Sequence, residues 1–355
     1  MIIFVMFITQ NILIMKALKY LLLLLLLIIV AGAIYIATLE SSYDITRTKI
    51  IKAPVEVVYN NVNDYANWPD WSPWIEQEPL AALTFGEKTQ GKGATYGWNG
   101  KILGEGNMET LEAKTNESIN QKITFIKPWE SQSDIYWTFK PIKDGTEVTW
   151  GMKGELDFMS RAFMAFSGGM EKQVGPDYER GLFKLDSVLQ VSMKKYSVIV
   201  NGPTTHGGGY YLYNTTSCKI NELVNKMQEM MAKVARYTQK NKIQMAGAPF
   251  ILRHKYDEEN NAVMFSCAVP VSEKVITESG SGIQTGMLKP FKAIKTTLRG
   301  NYTNSKEAWE TAYKYLVDNK LEQLAGSAAL EVYLTDPTNT PNPADWITEI
   351  YIPVE

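Results

Sequence analysis

Leu330-Glu331-Val332-Tyr333-Leu334 alternates apolar and polar side chains with a period of two. Branched and aromatic residues in that alternation predict a β-strand, with Leu330, Val332 and Leu334 on one face and Glu331 and Tyr333 on the other. Two readings of the second face stand open. A half-solvated sheet edge carries Glu and Tyr as ordinary outward residues, whereas a carboxylate beside a phenol in an aromatic-rich domain can hold an organic cation or a hydrogen-bonding ligand. Buried carboxylates without partners are rare, so the surrounding chain has to decide.

Around this strand the pattern is regular. Ala246 to Tyr256, a turn at Asp257 to Asn261 and Ala262 to Pro270 read as a hairpin. Leu288 to Gly300 reads as a strand, Ser305 to Asn319 as a helix, and Ile350-Tyr351-Ile352-Pro353-Val354 closes the last strand. Asn304 with Glu307 three residues on predicts a capping box, and Trp309, Ala312, Tyr313 and Leu316 form the buried stripe. Upstream, Tyr196 to Val200 and Tyr210 to Tyr213 read as strands, and Glu222 to Lys240 as an amphipathic helix with Leu223, Met227, Met230, Met231 and Val234 inward. The Met stripe is core filler. Strand, helix and hairpin thus occur twice, which predicts a pseudo-duplicated α/β unit with a ligand cleft between its halves. His206-Gly207-Gly208-Gly209 is not a phosphate loop, because strand-like residues follow it where a helix is needed.

The chain has 355 residues, 45% hydrophobic and 21% charged, room for two or three domains. A net charge of -2 supplies no basic surface for nucleic acid. Cys218 and Cys267 are the only cysteines, so a disulfide framework is excluded while a single bridge between them stays open, and His206 and His254 show no metal-ligand spacing, so no metal or cofactor is expected. From Tyr20 to Leu39 twenty residues carry no charge, enough to span about 30 Å of hydrocarbon. Lys16 and Lys19 before the run favour the N-terminus inside and the remainder on the extracytoplasmic side, partly offset by Arg47, Lys49 and Lys52. Ala31-Gly32-Ala33 allows a cleaved signal peptide, but the run is long for a signal core, and a single-pass anchor is the preferred reading. Residues 1 to 14 are also apolar, and Met15-Lys16 is a natural alternative start.

From Ser41 the pattern is that of a water-facing domain. Ile45, Ile50 and Ile51 mark a first strand, and Ala53-Pro54 opens a helix with Val55, Val58, Tyr59 and Val62 on one stripe. Tyr65 to Trp74 follows as an aromatic loop, then several strands punctuated by glycines, then a long helix carrying Tyr178, Leu182, Leu185 and Leu189. In that order, Ile51-Lys52-Ala53-Pro54-Val55-Glu56-Val57-Val58-Tyr59 and Asn63-Asp64-Tyr65-Ala66-Asn67-Trp68-Pro69-Asp70-Trp71 resemble the START-like superfamily of polyketide cyclases, the SRPBCC proteins, over 44 to 195. The resemblance implies a helix-grip fold, a curved antiparallel sheet around the long helix enclosing an apolar cavity, and hence a hydrophobic ligand. Trp68, Trp71 and Trp74 are candidates for the cavity mouth, and Tyr96 and Trp98 share a strand face as further candidates; simple packing is the competing reading for each.

Gly247, Pro249 and Tyr256, Arg299-Gly300-Asn301-Tyr302 with Trp309, Glu331-Val332-Tyr333-Leu334-Thr335-Asp336-Pro337 and Thr348-Glu349-Ile350-Tyr351-Ile352-Pro353-Val354 resemble the GyrI-like small-molecule binding domain over 196 to 355. That family forms the effector-binding half of many bacterial transcription activators and includes stand-alone binding proteins and some hydrolases. The resemblance implies that Glu331 lies in an aromatic cleft and meets cationic ligands; from the residues themselves, Tyr333, Trp346 and Phe250 are the nearest cage candidates and Trp309 packs its helix. Cation–π attraction of roughly 0.5 to 2 kcal/mol would add to the carboxylate's pull.

The expected chain is therefore α+β: residues 1–40 with a transmembrane helix at 20–39, a START-like domain at 41–195 and a GyrI-like domain at 196–355. The expected role is a membrane-anchored binding protein, with an apolar ligand in the first domain and an amphipathic or cationic one around Glu331. Two alternatives stand beside it, a hydrolase or cyclase using Glu331 as general acid or base, and a structural protein with filled cavities. Cys267 lies in an apolar run and reads as inert core, and no Gly-x-Ser-x-Gly elbow is present. A membrane segment stands where regulator relatives carry a helix-turn-helix, so no nucleic-acid partner is expected.

Overall fold

The computed structural model describes residues 2–355, with side chains from residue 15 onward. The alternative start at Met15 rests on the character of residues 1 to 14, whose side chains lie outside the described residues. The chain forms two compact units, Met1–Leu189 and Gln190–Glu355.

The first unit opens with helix α1 (Ile2–Thr38), whose stretch Met15–Thr38 has a mean hydropathy of 2.9 and buries nothing inside the protein. Among the described residues one helix is therefore long and apolar enough to cross a membrane, and a signal sequence has the same character. Strand β1 (Ser42–Ile51), helix α2 (Val55–Asn63) and two short helices, α3 (Trp68–Trp71) and α4 (Pro73–Gln77), come next. The predicted aromatic loop is thus largely helical. The Asp64 carboxylate accepts from the Ala66 N–H, and the Ser72 hydroxyl from the Ile75 N–H, each starting a helical turn.

Strands β2 (Ala82–Phe85), β3 (Thr95–Asn99), β4 (Glu105–Lys114), β5 (Ser118–Lys127), β6 (Ser131–Ile142) and β7 (Gly145–Glu155) join β1 in an antiparallel sheet of order β1-β7-β6-β5-β4-β3-β2. Alternation explains its burial: Ile135, Trp137 and Phe139 of β6 and Val148, Trp150 and Met152 of β7 face inward together. Helix α5 (Phe158–Ser167) leads to α6 (Gly169–Ser192), which buries Tyr178, Leu182, Leu185 and Leu189 as the helical period requires. Gly181 lets α6 approach the sheet, since a Cβ there would meet Trp150 Cζ3 at 2.7 Å. Trp150 is sandwiched between Tyr178 at 3.9 Å and Trp137 at 4.3 Å, measured between ring centroids.

The second unit contains β8 (Ser197–His206), β9 (Gly209–Lys219), α7 (Leu223–Lys240), β10 (Phe250–Asp257), β11 (Ala262–Val271), β12 (Gln284–Leu288), β13 (Phe291–Arg299), α8 (Ser305–Asp318), β14 (Ala329–Tyr333) and β15 (Ile347–Pro353). Its sheet runs β12-β9-β11-β10-β14-β15-β13-β8. The order is palindromic: β9, α7, β10 and β11 make one half, β13, α8, β14 and β15 the other, and β10 pairs with β14 at the junction. His206-Gly207-Gly208-Gly209 is the β8–β9 turn, and Gly208 and Gly209 supply its positive φ values of 72° and 126°. Asn304 does not cap α8: it lies in a near-helical conformation, its amide donates to the Asn301 carbonyl, and Asn301 instead caps the preceding 3-10 turn. Glu307 is taken up by the Tyr196 hydroxyl, which donates to it at 2.6 Å, and Tyr313 is exposed on the outer side of the stripe.

Two outcomes follow. Trp150→Ala should cost about 3–5 kcal/mol of first-unit stability, read by denaturant unfolding, because a fully enclosed double stack is replaced by a cavity. Burial pushes the Cys267 thiol up to about 12, so its reactive thiolate is scarce at pH 8; iodoacetamide should label Cys267 only after denaturation, checked by mass spectrometry.

Candidate functional site

Strand β14 lies in the middle of its sheet, with Ile251 of β10 and Ile350 of β15 beside Glu331. The sheet-edge reading of this strand is thereby excluded, and Leu334 lies just beyond the strand, exposed. Glu331 is 3% exposed. Helix α8 packs Ala308, Trp309, Ala312 and Leu316 onto Ile294, Leu298, Ala329, Ile350 and Ile352, which fixes the turn above the carboxylate. Ser305 and Trp309, four residues apart on one helical face, both reach it: the Ser305 hydroxyl donates to Oε1 at 2.8 Å and the Trp309 indole N–H to Oε2 at 2.8 Å. Trp309, expected only to pack its helix, is a direct partner of the carboxylate.

Arg253 completes the set. Its Nη2 lies 3.6 Å from Glu331 Oε2, and its guanidinium sits over Trp309 at 3.9 Å and Tyr256 at 4.9 Å from the ring centroids. Its side chain is only 12% exposed, yet among the described residues it donates no hydrogen bond. The guanidinium is held by charge and ring faces without the bidentate geometry that makes an Arg–carboxylate pair strong. It meets the carboxylate that the resemblance implies for a cationic ligand.

On the other side of Glu331 runs a row of aromatic rings. Tyr333 follows on the same strand face, and its hydroxyl reaches Met227 Sδ of α7 at 3.2 Å. Burial, then the charge of Glu331, holds the Tyr333 phenol well above its ordinary pKa. Tyr302 meets Tyr333 edge-on at 5.3 Å and stacks on Trp346 at 4.6 Å, while the Trp346 N–H donates to the Thr340 carbonyl at 2.7 Å. Glu331, Tyr333 and Trp346 therefore form one contiguous arrangement. Phe250 does not join it. Pairing with Val332, it points to the opposite face, among Leu252, Ala268, Leu330 and Tyr211. Strand parity is the reason: Ile251 and Arg253 share the face of Glu331, and Phe250 cannot.

In the first unit Trp68 and Trp71 lie in the core and not at a mouth. The Trp68 N–H donates to the Val62 carbonyl at 2.8 Å, and Trp71 packs edge-on against Trp137 and Trp150. Half-buried Trp74 donates to Asp177 Oδ2 at 2.9 Å and meets Trp150 edge-on, and burial raises the Asp177 carboxyl's pKa. Tyr96 is buried and stacks on Tyr65, whereas Trp98 is half-buried, donating to the Leu103 carbonyl at 3.3 Å. The Nε1 atoms of Trp71 and Trp150 and the Tyr178 hydroxyl are buried with no hydrogen-bond partner among the described residues.

His254 donates to or accepts from the Ser266 hydroxyl at 2.7 Å, and with Gln323–Ala328 it lines a cavity of about 380 Å³. Burial lowers the pKa of both histidines. Among the described residues no three His, Cys, Asp or Glu side chains come together as a metal site.

Sequence reasoning missed Ser305, Arg253 and Tyr302. The spacing of Ser305 and Trp309 and the parity of Arg253 with Ile251 were available signals, but each gains meaning only once β10 is known to lie against β14.

A family model described as the GyrI-like small molecule binding domain matches residues 210–355, and one described as polyketide cyclase / dehydrase and lipid transport matches residues 51–182. No curated protein matches the chain. Similar solved structures include the EcmrR C-terminal domain, 15% identical over 45% of this chain and 98% of that one, TM-score 0.37. The EcmrR–DNA complex is 16% identical over 56% and 71%, TM-score 0.39. SAV2435 bound to tetraphenylphosphonium is 12% identical over 45% and 94%, TM-score 0.32. The chain thus carries a polyketide cyclase / dehydrase and lipid transport domain followed by a GyrI-like small-molecule binding domain.

Proposed function

We propose that this chain is a membrane-anchored small-molecule binding protein, with domains at 41–195 and 196–355, whose second domain takes an amphipathic ligand at Glu331. The observation that carries the reading is the charged pair itself. Removing a carboxylate and a guanidinium from water costs several kcal/mol each, and well-packed apolar residues in their place would stabilise the sheet at least as well. A pair retained in mid-sheet, flanked by Tyr302, Tyr333 and Trp346, fits a ligand with a flat apolar body and a polar head. Both Glu331 oxygens already accept hydrogen bonds, from Ser305 and Trp309, which favours holding a ligand over moving a proton.

A cationic head must displace Arg253. Tetraphenylphosphonium titrated into the purified chain should therefore bind weakly to the wild type, about tenfold or more tightly to Arg253→Met, and not measurably to Glu331→Gln in the Arg253→Met background. Calorimetry checks this, and equal affinities in all three would remove Glu331 from the site. Turnover of any bound probe that is lost in Glu331→Gln would favour the enzyme reading instead.

For the first domain we propose an apolar ligand bearing a hydrogen-bond acceptor, because Trp71, Trp150 and Tyr178 offer buried donors that no described residue uses. A specific observation also favours the reading of this domain as structural: Trp68, Trp71, Trp137, Trp150 and Tyr178 fill its interior. Lipid retained on the purified chain and lost in Trp71→Phe with Tyr178→Phe would decide for the ligand. Lys16 and Lys19 orient the anchor so that both domains lie outside the cytoplasm; a reporter fused after Glu355 should be active only there.

A further inference from the structure

Strand pairing places one end of the first unit's sheet beside the end of α1. Ser42, the first residue of β1, pairs with Glu155, the last of β7. Phe125 pairs with Ser131 across the β5–β6 turn, Asn99 with Glu105 across the β3–β4 turn, and Ala82, the first residue of β2, with Asn99. The segments at 79–81, 100–104, 128–130 and 156–167 therefore share a rim, and the opposite rim carries the β6–β7 turn, where Ile142 pairs with Gly145.

The first rim is apolar where it meets solvent. Leu80 is 96% exposed, Ile102 71%, Trp129 70%, Met159 72% and Phe166 90%. Helix α5 buries none of its residues, although Met159, Phe163 and Phe166 form a stripe at i, i+4 and i+7. A stripe of that kind needs a partner, since its apolar area is otherwise left in water. Two contacts fix where the helix lies. Arg161 Nη1 donates to the Ala37 carbonyl at 3.2 Å and the Leu39 carbonyl at 3.3 Å, tying α5 to the end of α1, and the Phe163 ring meets Trp129 edge-on at 5.7 Å, tying α5 to the β5–β6 turn.

We propose that this rim lies on the lipid bilayer, with α5 as an interfacial helix and Ile102 and Trp129 as loop anchors. The proposal rests on the reading of α1 as an uncleaved anchor. The occupant follows from continuity: the apolar span ends at Thr38, within one turn of the carbonyls that Arg161 holds, so the interface it leaves is the surface that α5 meets. Helices with an apolar stripe on one face lie in the headgroup region, and Trp is the ring enriched at that depth. The domain would then stand with its sheet upright on the membrane, fixed by four segments and not swinging from a single helix.

The test uses the full chain in nanodiscs. Single-cysteine variants I102C, W129C and F166C, with K143C on the opposite rim as control, are made in a C218S, C267A background and labelled with an environment-sensitive fluorophore. Brominated phospholipids should cause loss of emission at 102, 129 and 166 and none at 143. A chain that resists carbonate extraction but shows no quenching beyond the 143 control would overturn the rim contact and leave the anchor standing. A chain released by carbonate would remove the anchor and the inference with it. Self-quenching between labelled chains without lipid quenching would assign the rim to a second copy and overturn the bilayer.

Discussion

The antiparallel pairing of β10 with β14 is the joint on which the second unit depends. It converts two small half-sheets, each with one helix, into a single eight-stranded sheet with both helices on one face. Glu331 reaches α8 and Tyr333 reaches α7 from the same strand, so the joint also draws the two halves' side chains onto one line. Arg253 arrives from the other member of the pair. The arrangement draws on four separate stretches, Arg253 with Tyr256, Tyr302 with Ser305 and Trp309, Glu331 with Tyr333, and Trp346, which the β10–β14 pairing and the packing of α8 bring together.

Electrostatics at this joint follows from desolvation. Each Glu331 oxygen accepts a hydrogen bond from a neutral donor, Ser305 or Trp309. Arg253 has no such independent support, since ring faces and one long ion-pair contact are all that hold it. The carboxylate is thus the more firmly held member of the pair, and on the function proposed above the guanidinium is the one a ligand would displace.

Much of this was legible in the sequence. The alternation in 330–334 predicts the strand and the faces of Leu330 to Tyr333, with Leu334 falling beyond its end, and the stripes of α6, α7 and α8 carry most of their buried residues, because periodicity is a local property. What failed was relational. Phe250 is a cage candidate as an aromatic residue of the same domain, and only register shows that it faces away. Trp309 was read as packing because a helix stripe does not reveal which of its rings has a polar atom aimed at a partner. For Trp68 and Trp71 the sequence leaves a cavity mouth and simple packing both open, and α3 decides for packing by turning them inward onto Trp137 and Trp150. The Asn304 cap failed for a local reason, since a preceding 3-10 turn moved the capping role to Asn301.

The palindromic strand order has a mechanical meaning. Strand β8 precedes the first half in the chain but pairs with β13 of the second, and β12 precedes the second half but pairs with β9 of the first. Each half therefore lends its leading strand to the other, and the halves are laced together as well as abutted. Pulling them apart at β10 and β14 would leave both lendings in place, so separation demands that three ladders break at once. Such a duplicate is unlike two beads on a string, because each half holds a strand that the other half's chain supplies.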